Sequence, residues 1–206
     1  GKILKSGVFK NLWIQPAAGD AGGALGAALA VWHKELNQKR IISKSDNMSG
    51  SYLGPKFSQA QIESELKGIG AVFNTYSKDE MIAIVAKALS NQKTIGWFQG
   101  RMEWGPRALG NRSIIADPRR EDMKDILNAR VKFREPFRPF APSCLEERCG
   151  ELFDSDIPSP FMLRVYNTLP EKREELAAIT HVDGTARVQT VNEDQNPRYY
   201  DLIRKF

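Results

Sequence analysis

The stretch SKDEMIAIVAKALSNQKTIGWFQG, residues 77–100, limits most strongly what this chain can fold into. Ser77 with Glu80 three positions on is a capping box, in which each side chain takes the other residue's free backbone N–H, so a helix starts here. Met81, Ile84, Val85 and Leu89 then recur at helical spacing and predict a core-facing stripe. TIGWFQG follows as a buried strand. Upstream, Ser58 to Leu66 reads as a short helix and AVFNTY (71–76) as an apolar strand. Strand, helix and strand at such short intervals predict an α/β (α+β) fold on a mixed sheet whose strand ends carry loops.

Bulk properties narrow the function classes. With 206 residues, 41% hydrophobic and 27% charged, the chain can bury a core and is too apolar to be disordered. No run of uncharged apolar residues is long enough to span a bilayer, and Gly1 to Lys5 is not a signal peptide, so a cytoplasmic protein is expected. Two cysteines, Cys144 and Cys149, are too few for a disulfide framework or a zinc site and read as reduced thiols. A net charge of +5 permits an anionic ligand without naming it.

The buried strand runs directly into GRMEWGPRALGNRS, 100–113, which carries three arginines and three glycines. Arg101, Arg107 and Arg112 are spaced by six and five, which fits neither one helix face nor one side of a strand, so a loop must arrange them. Gly105 and Gly110 allow unusual backbone angles and Pro106 stiffens the span between them. Such a loop can aim planar guanidinium forks at phosphate or carboxylate oxygens. Equally, its arginines can pair with Glu103 and Asp117 on a solvated loop.

Further on, a helix is expected from about Glu121 to Arg130, started by the Asp117-Pro118 turn. It leads to a second basic cluster, Lys132, Arg134 and Arg138, interleaved with Phe133, Phe137 and Phe140. Read as an extended segment, alternation puts Lys132 and Arg134 on one side and turns Val131 and Phe133 to the core. ITHVDGTARVQTV predicts a β-hairpin about Asp183-Gly184 with His181 and Arg187 flanking the turn. Near the start, Leu12 to Ile14 reads as a strand that passes through a Gly/Ala turn into a helix. Gly22 and Gly23 allow close approach of a backbone or an anion there, and Asp20 could cap the helix or hold a cation. Residues 41–57, rich in Ser, Gly and Lys, mark a linker between a 1–40 segment and a 58–206 domain.

In this order, QPAAGDAGGALGAAL (15–29), GRMEWGPRALGNRSIIADPR (100–119), LNARVKFREPFRPFAPS (127–143) and THVDGTARVQTV (180–191) resemble the C-terminal half of NodU/CmcH-type O-carbamoyltransferases. The resemblance implies that 1–40 is the tail of an actin-like (sugar-kinase-like) domain. It also implies that 58–206 is a YrdC-like domain, a twisted mixed sheet with flanking helices, cut short at its C-terminus. The implied chemistry has two stages: the YrdC-like domain turns carbamoyl phosphate and ATP into carbamoyl-adenylate, and the actin-like domain passes the carbamoyl group to an acceptor hydroxyl. VKFRE is similar to the K-x-R anion signature of YrdC, which implies Lys132 and Arg134 as phosphate contacts, joined by Arg101 and Arg107. Arg138, Arg112, His181 and Arg187, with Gly22 and Gly23, are implied for substrate and nucleotide, and Asp20 as the family's metal-ligand aspartate.

Cofactors implied by the resemblance are ATP with Mg²⁺, and a divalent metal, iron, in the full-length protein's N-terminal domain. The histidines that would share that metal are not in this sequence, so the chain reads as an excerpt whose full turnover alone is not expected. Phosphoryl and acyl-phosphate reactions depend mainly on positioning and charge stabilisation, which arginines supply without a nucleophilic side chain. Two other readings remain open at this level. One is an RNA-binding module using the Arg134–Phe140 cluster, against which stand the acids Glu121, Asp122 and Asp125. The other is a structural domain whose arginines make internal ion pairs.

Overall fold

The computed structural model describes residues 2–43 and 46–206. In chain order it has α1 (Lys2–Lys5), α2 (Asp20–Ala30) with a π-helical extension Val31–Glu35, α3 (Gln59–Gly68) and α4 (Lys78–Ser90). Then come β1 (Ile95–Phe98), β2 (Arg112–Ile115), α5 (Met123–Leu127) with a π-helical extension Asn128–Lys132, and β3 (Ser143–Leu145). The chain ends with β4 (Tyr166–Asn167), β5 (Thr185–Ala186), β6 (Gln189–Val191) and α6 (Pro197–Lys205).

The class is α/β. Its strands form three two-stranded pieces: β1 and β2 antiparallel, β3 and β6 parallel, β4 and β5 antiparallel. Pairing Phe98 with Arg112 makes residues 99–111 the connection of a wide hairpin, which puts the first arginine cluster at a strand end.

Helices α3 and α4 both start on capping boxes, Ser58 with Gln61 and Ser77 with Glu80, but only α4 contributes buried residues. On α4 the buried positions are Ile82, Ala86 and Leu89, whereas Ile84 is half exposed and Met81 and Val85 flank the seam. The stripe is rotated from the expected one because α6 lies along this face: Tyr199 and Leu202 join those three and Trp97 of β1 in one cluster. Fully burying a side chain of this size stabilises the fold by roughly 1.5–3 kcal/mol. A second cluster joins Phe153, Tyr166, Leu176 and Val188 with Cys144 and Cys149, both free thiols.

Four expected elements differ. Residues 71–76 and Leu12 to Ile14 form no strand; with no neighbouring edge to pair with, their apolar side chains stay outside, Val72 fully so and Trp13 by two thirds. The hairpin about Asp183-Gly184 is a tight turn in which the Gly184 N–H donates to the His181 carbonyl, and β5 pairs with β4. Asp183 stabilises that turn locally by accepting from the Thr185 N–H and hydroxyl. Finally, Val131 to Arg134 is not extended. The helix widens through Lys132 and stops at Phe133, whose left-handed backbone (φ 49°) turns its ring out to solvent, 82% exposed.

Residues 51–55 lie along the first basic loop: the Trp104 N–H donates to the Ser51 carbonyl, the Gly54 N–H to Met102, and the Met102 N–H to Pro55. None of α2 is buried, and even its Leu29 is about half exposed, so no core forms against this helix among the described residues.

Candidate functional site

The connection 99–111 is organised from inside by a carboxylate. Glu103 is 4% exposed, and its Oε1 accepts the backbone N–H groups of Leu109 (2.7 Å), Asn111 (2.9 Å) and Arg112 (3.1 Å). Arg112 Nε completes the cradle at 3.4 Å from Oε2. The glycines act as required: Gly105 (φ 99°) lies so close to Ala17 that an added Cβ would come within 2.5 Å of that residue's own, and Gly110 (φ 98°) meets the Tyr199 ring. A buried polar network secures the base of the loop. Gln99 donates to Asn196 Oδ1 (2.8 Å), Asn196 Nδ2 donates to Asn111 Oδ1 (2.9 Å) and the Tyr52 hydroxyl (2.8 Å), and Tyr52 donates to the Leu109 carbonyl (2.8 Å). Burial pushes the Tyr52 phenol well above its ordinary range, so it stays a neutral donor.

This framework sends the loop's arginines to opposite flanks. Arg107 faces a hollow of about 440 Å³ that Arg134, Arg138, His181 and Arg187 also line. Phe140, Val165 and Ile179 add apolar lining, and among the described residues no Asp or Glu lines it. Arg101 and Arg112 border a different, open hollow beside Ala21 at the start of α2, with Arg101 donating to the Gly54 carbonyl (3.0 Å). The expected convergence of Arg101, Arg107, Lys132 and Arg134 therefore holds only for Arg107 and Arg134. Lys132, exposed at the end of the π-helical turn, lines neither hollow, because the chain does not run extended there.

Within the acid-free hollow Arg134 is held firmly. Its Nε donates to Asn128 Oδ1 (2.7 Å) and its guanidinium lies 4.7 Å from the centre of the Phe140 ring, a cation–π arrangement. Arg138 pairs with Glu135 (2.9 Å), both exposed, which solvent screens heavily. His181 lies 3.1 Å from Asp183 at the turn. Arg187 is the unusual one: its Nε is buried with no hydrogen-bond partner. Burial, then the charge of Arg107, push its guanidinium below the ordinary value. Two cations lining one hollow with a donor unmet is a costly arrangement that an anion bound beside them would relieve.

Of the ion pairs expected as the alternative, Arg112 with Glu103 forms, whereas Asp117 is taken by Arg119 (2.7 Å). At the other end, Asp20 is the exposed first residue of α2 behind Gly19 and caps nothing. Among the described residues no three of His, Cys, Asp and Glu gather where they could hold a metal. A Cβ on Gly22 would strike the Ala17 carbonyl oxygen at 2.2 Å, so its smallness serves a close backbone turn, while Gly23 is open on all sides. The sequence reading missed Asn128 and the Gln99–Asn196–Tyr52 network, and took Glu103 only as a surface ion-pair partner. A lone acid inside a glycine-rich basic loop was the available signal.

Fold and geometry define an α/β protein with a preformed, arginine-lined hollow of ligand size. The chain belongs to the carbamoyltransferase family: residues 86–206 match the family model described as carbamoyltransferase C-terminus, and residues 1–29 the one described as carbamoyltransferase N-terminus. Over its whole length it is 51% identical to an uncharacterized protein of Synechocystis and 47% identical to nodulation protein NolO of Bradyrhizobium diazoefficiens. It is 32% identical over 99% of its length to nodulation protein U of Rhizobium fredii. The chain spans 37%, 38% and 32% of these relatives. No helix among the described residues is long and apolar enough to cross a membrane.

Proposed function

We propose that this chain is the carbamoyl-activating part of an O-carbamoyltransferase, and that its acid-free hollow binds the phosphate groups of carbamoyl phosphate and ATP. The observation that carries this reading is the buried, unpartnered Arg187 Nε in the same hollow as Arg107, a donor with charge and no protein acceptor. In the proposed reaction carbamoyl phosphate and water give carbamate and inorganic phosphate. Carbamate oxygen then attacks the α-phosphorus of ATP, and carbamoyl-adenylate forms as pyrophosphate leaves. An acceptor hydroxyl, in the longer protein, takes the carbamoyl group and releases AMP.

The residues' work here is electrostatic. Arg107 and Arg187 hold the transferring phosphate, Arg134 and Arg138 face it across the hollow, and His181 stands at the rim. Phe140 and Ile179 add apolar lining that excludes water from one side. Charge-stabilising donors fixed before the reaction need no reorganisation in the transition state. Mg²⁺ would neutralise nucleotide phosphates when it arrives bound to them; the hollow itself offers it no carboxylate.

Calorimetric titration of the chain with carbamoyl phosphate and with a non-hydrolysable ATP analogue tests the reading. R134A should weaken carbamoyl phosphate binding by about 1.5–3 kcal/mol, roughly 10- to 150-fold in Kd. Parent and variant giving the same isotherm would overturn it.

A further inference from the structure

Arg134 and Arg138 sit on residues 133–139, a segment with neither helix nor strand and with most of its side chains exposed, yet both line the same hollow. We infer that Asn128 is the positioning residue that holds this segment in its anion-binding shape; the inference rests on the anion site proposed above. Asn128 is 1% exposed, the first residue of the π-helical turn that follows α5. Its Oδ1 accepts Arg134 Nε at 2.7 Å, and its main-chain carbonyl accepts the Arg134 N–H at 3.1 Å. Its Nδ2 donates to the carbonyls of Arg138 (2.9 Å) and Pro136 (3.2 Å). One side chain thus grips the segment at 134, 136 and 138, and the backbone wraps around it.

The amide suits this task because it must accept from a cation and donate to two carbonyls from one planar group. A carboxylate in its place could take Arg134 but has no N–H for the carbonyls, and its charge would cancel part of the guanidinium's attraction for an anion. An amide orients Arg134 and leaves its charge intact. Phe140 fixes the guanidinium plane from the other side, and Nη2 reaches the Pro139 carbonyl at 3.4 Å. Nη1 then remains for a ligand.

The test is calorimetric titration of the full chain with inorganic phosphate, comparing the parent with R134A, N128L and N128S. Leucine keeps the branching and the four side-chain heavy atoms of asparagine without its hydrogen bonds, though it is bulkier, and serine keeps only a short hydroxyl; both are neutral, so charge is not the variable. Circular dichroism first establishes that each variant is folded. A merely structural asparagine would lower the melting temperature and leave the phosphate affinity of the folded protein unchanged. The expected result is at least a tenfold weaker phosphate affinity in N128L and N128S, comparable with R134A. Either folded Asn128 variant binding within twofold of the parent, while R134A is weakened, overturns the positioning role alone. If R134A also binds like the parent, the anion site itself fails and the role of Asn128 falls with it.

Discussion

The loop at 99–111 and the segment at 133–139 each depend on one buried side chain, Glu103 in the first and Asn128 in the second. Glu103 collects only donors, three backbone N–H groups and Arg112 Nε, for which an acceptor-only carboxylate is the right group. That solution consumes charge: Arg112 is neutralised on the spot and Arg101 settles on a backbone carbonyl, both on the flank away from the acid-free hollow. Asn128 meets a mixed set of one guanidinium donor and two carbonyls, and as a neutral group sets no charge of its own against Arg134, whose only acidic neighbour in the segment is the exposed Glu135. The number of arginines on a loop therefore says little about its share in binding an anion. What the organising residue does with their charge decides it.

The largest effect expected from breaking this contrast is at Glu103. E103A strands three backbone donors and removes a buried charged partner, and should lower stability by about 3–5 kcal/mol in urea unfolding. E103Q, which keeps an acceptor oxygen, should lose distinctly less; equal losses would mean that shape alone holds the loop. Next in size is Arg187. R187M removes the unmet buried donor, so the unliganded protein should be as stable as the parent or more stable by about 1 kcal/mol. The same variant should show none of the parent's rise in melting temperature on adding carbamoyl phosphate. A full rise in R187M would place the ligand elsewhere. The smallest effect is at Arg101: R101A should change carbamoyl phosphate affinity by less than about 0.5 kcal/mol. A loss matching that of R134A would show that the charge of the first loop reaches the hollow after all.

Legibility in the sequence followed the range of the forces involved. The capping box at Ser77 and Glu80 and the position of the strand at 95–98 were readable because their determinants lie within a few residues of each other, whereas the expected burial of that strand holds only for Trp97, Phe98 being half exposed on the other face of a two-stranded piece. So was the need for a loop at Arg101, Arg107 and Arg112. Lys132 was misplaced because the alternation assumed for 131–134 competes with the widened helical turn ending at left-handed Phe133, a contest that local pattern does not decide. The α4 stripe was off by part of a turn because its orientation is set by α6, more than a hundred residues later. Arg187 and Arg107 were each named as candidates, but the pressure between them comes from folding and has no trace in their spacing. The three regions of the sequence that meet at the acid-free hollow, 107, 134–141 and 165–187, could be grouped in advance only through family resemblance.

Asn196 closes the network beneath the first loop and at the same time starts α6, its Oδ1 accepting the Tyr199 N–H. Because the same amide also binds Gln99, Asn111 and Tyr52, the final helix and the hairpin connection share a single hinge pin. The first turn of α6 and the base of the connection that carries Arg107 are thus anchored through one buried amide.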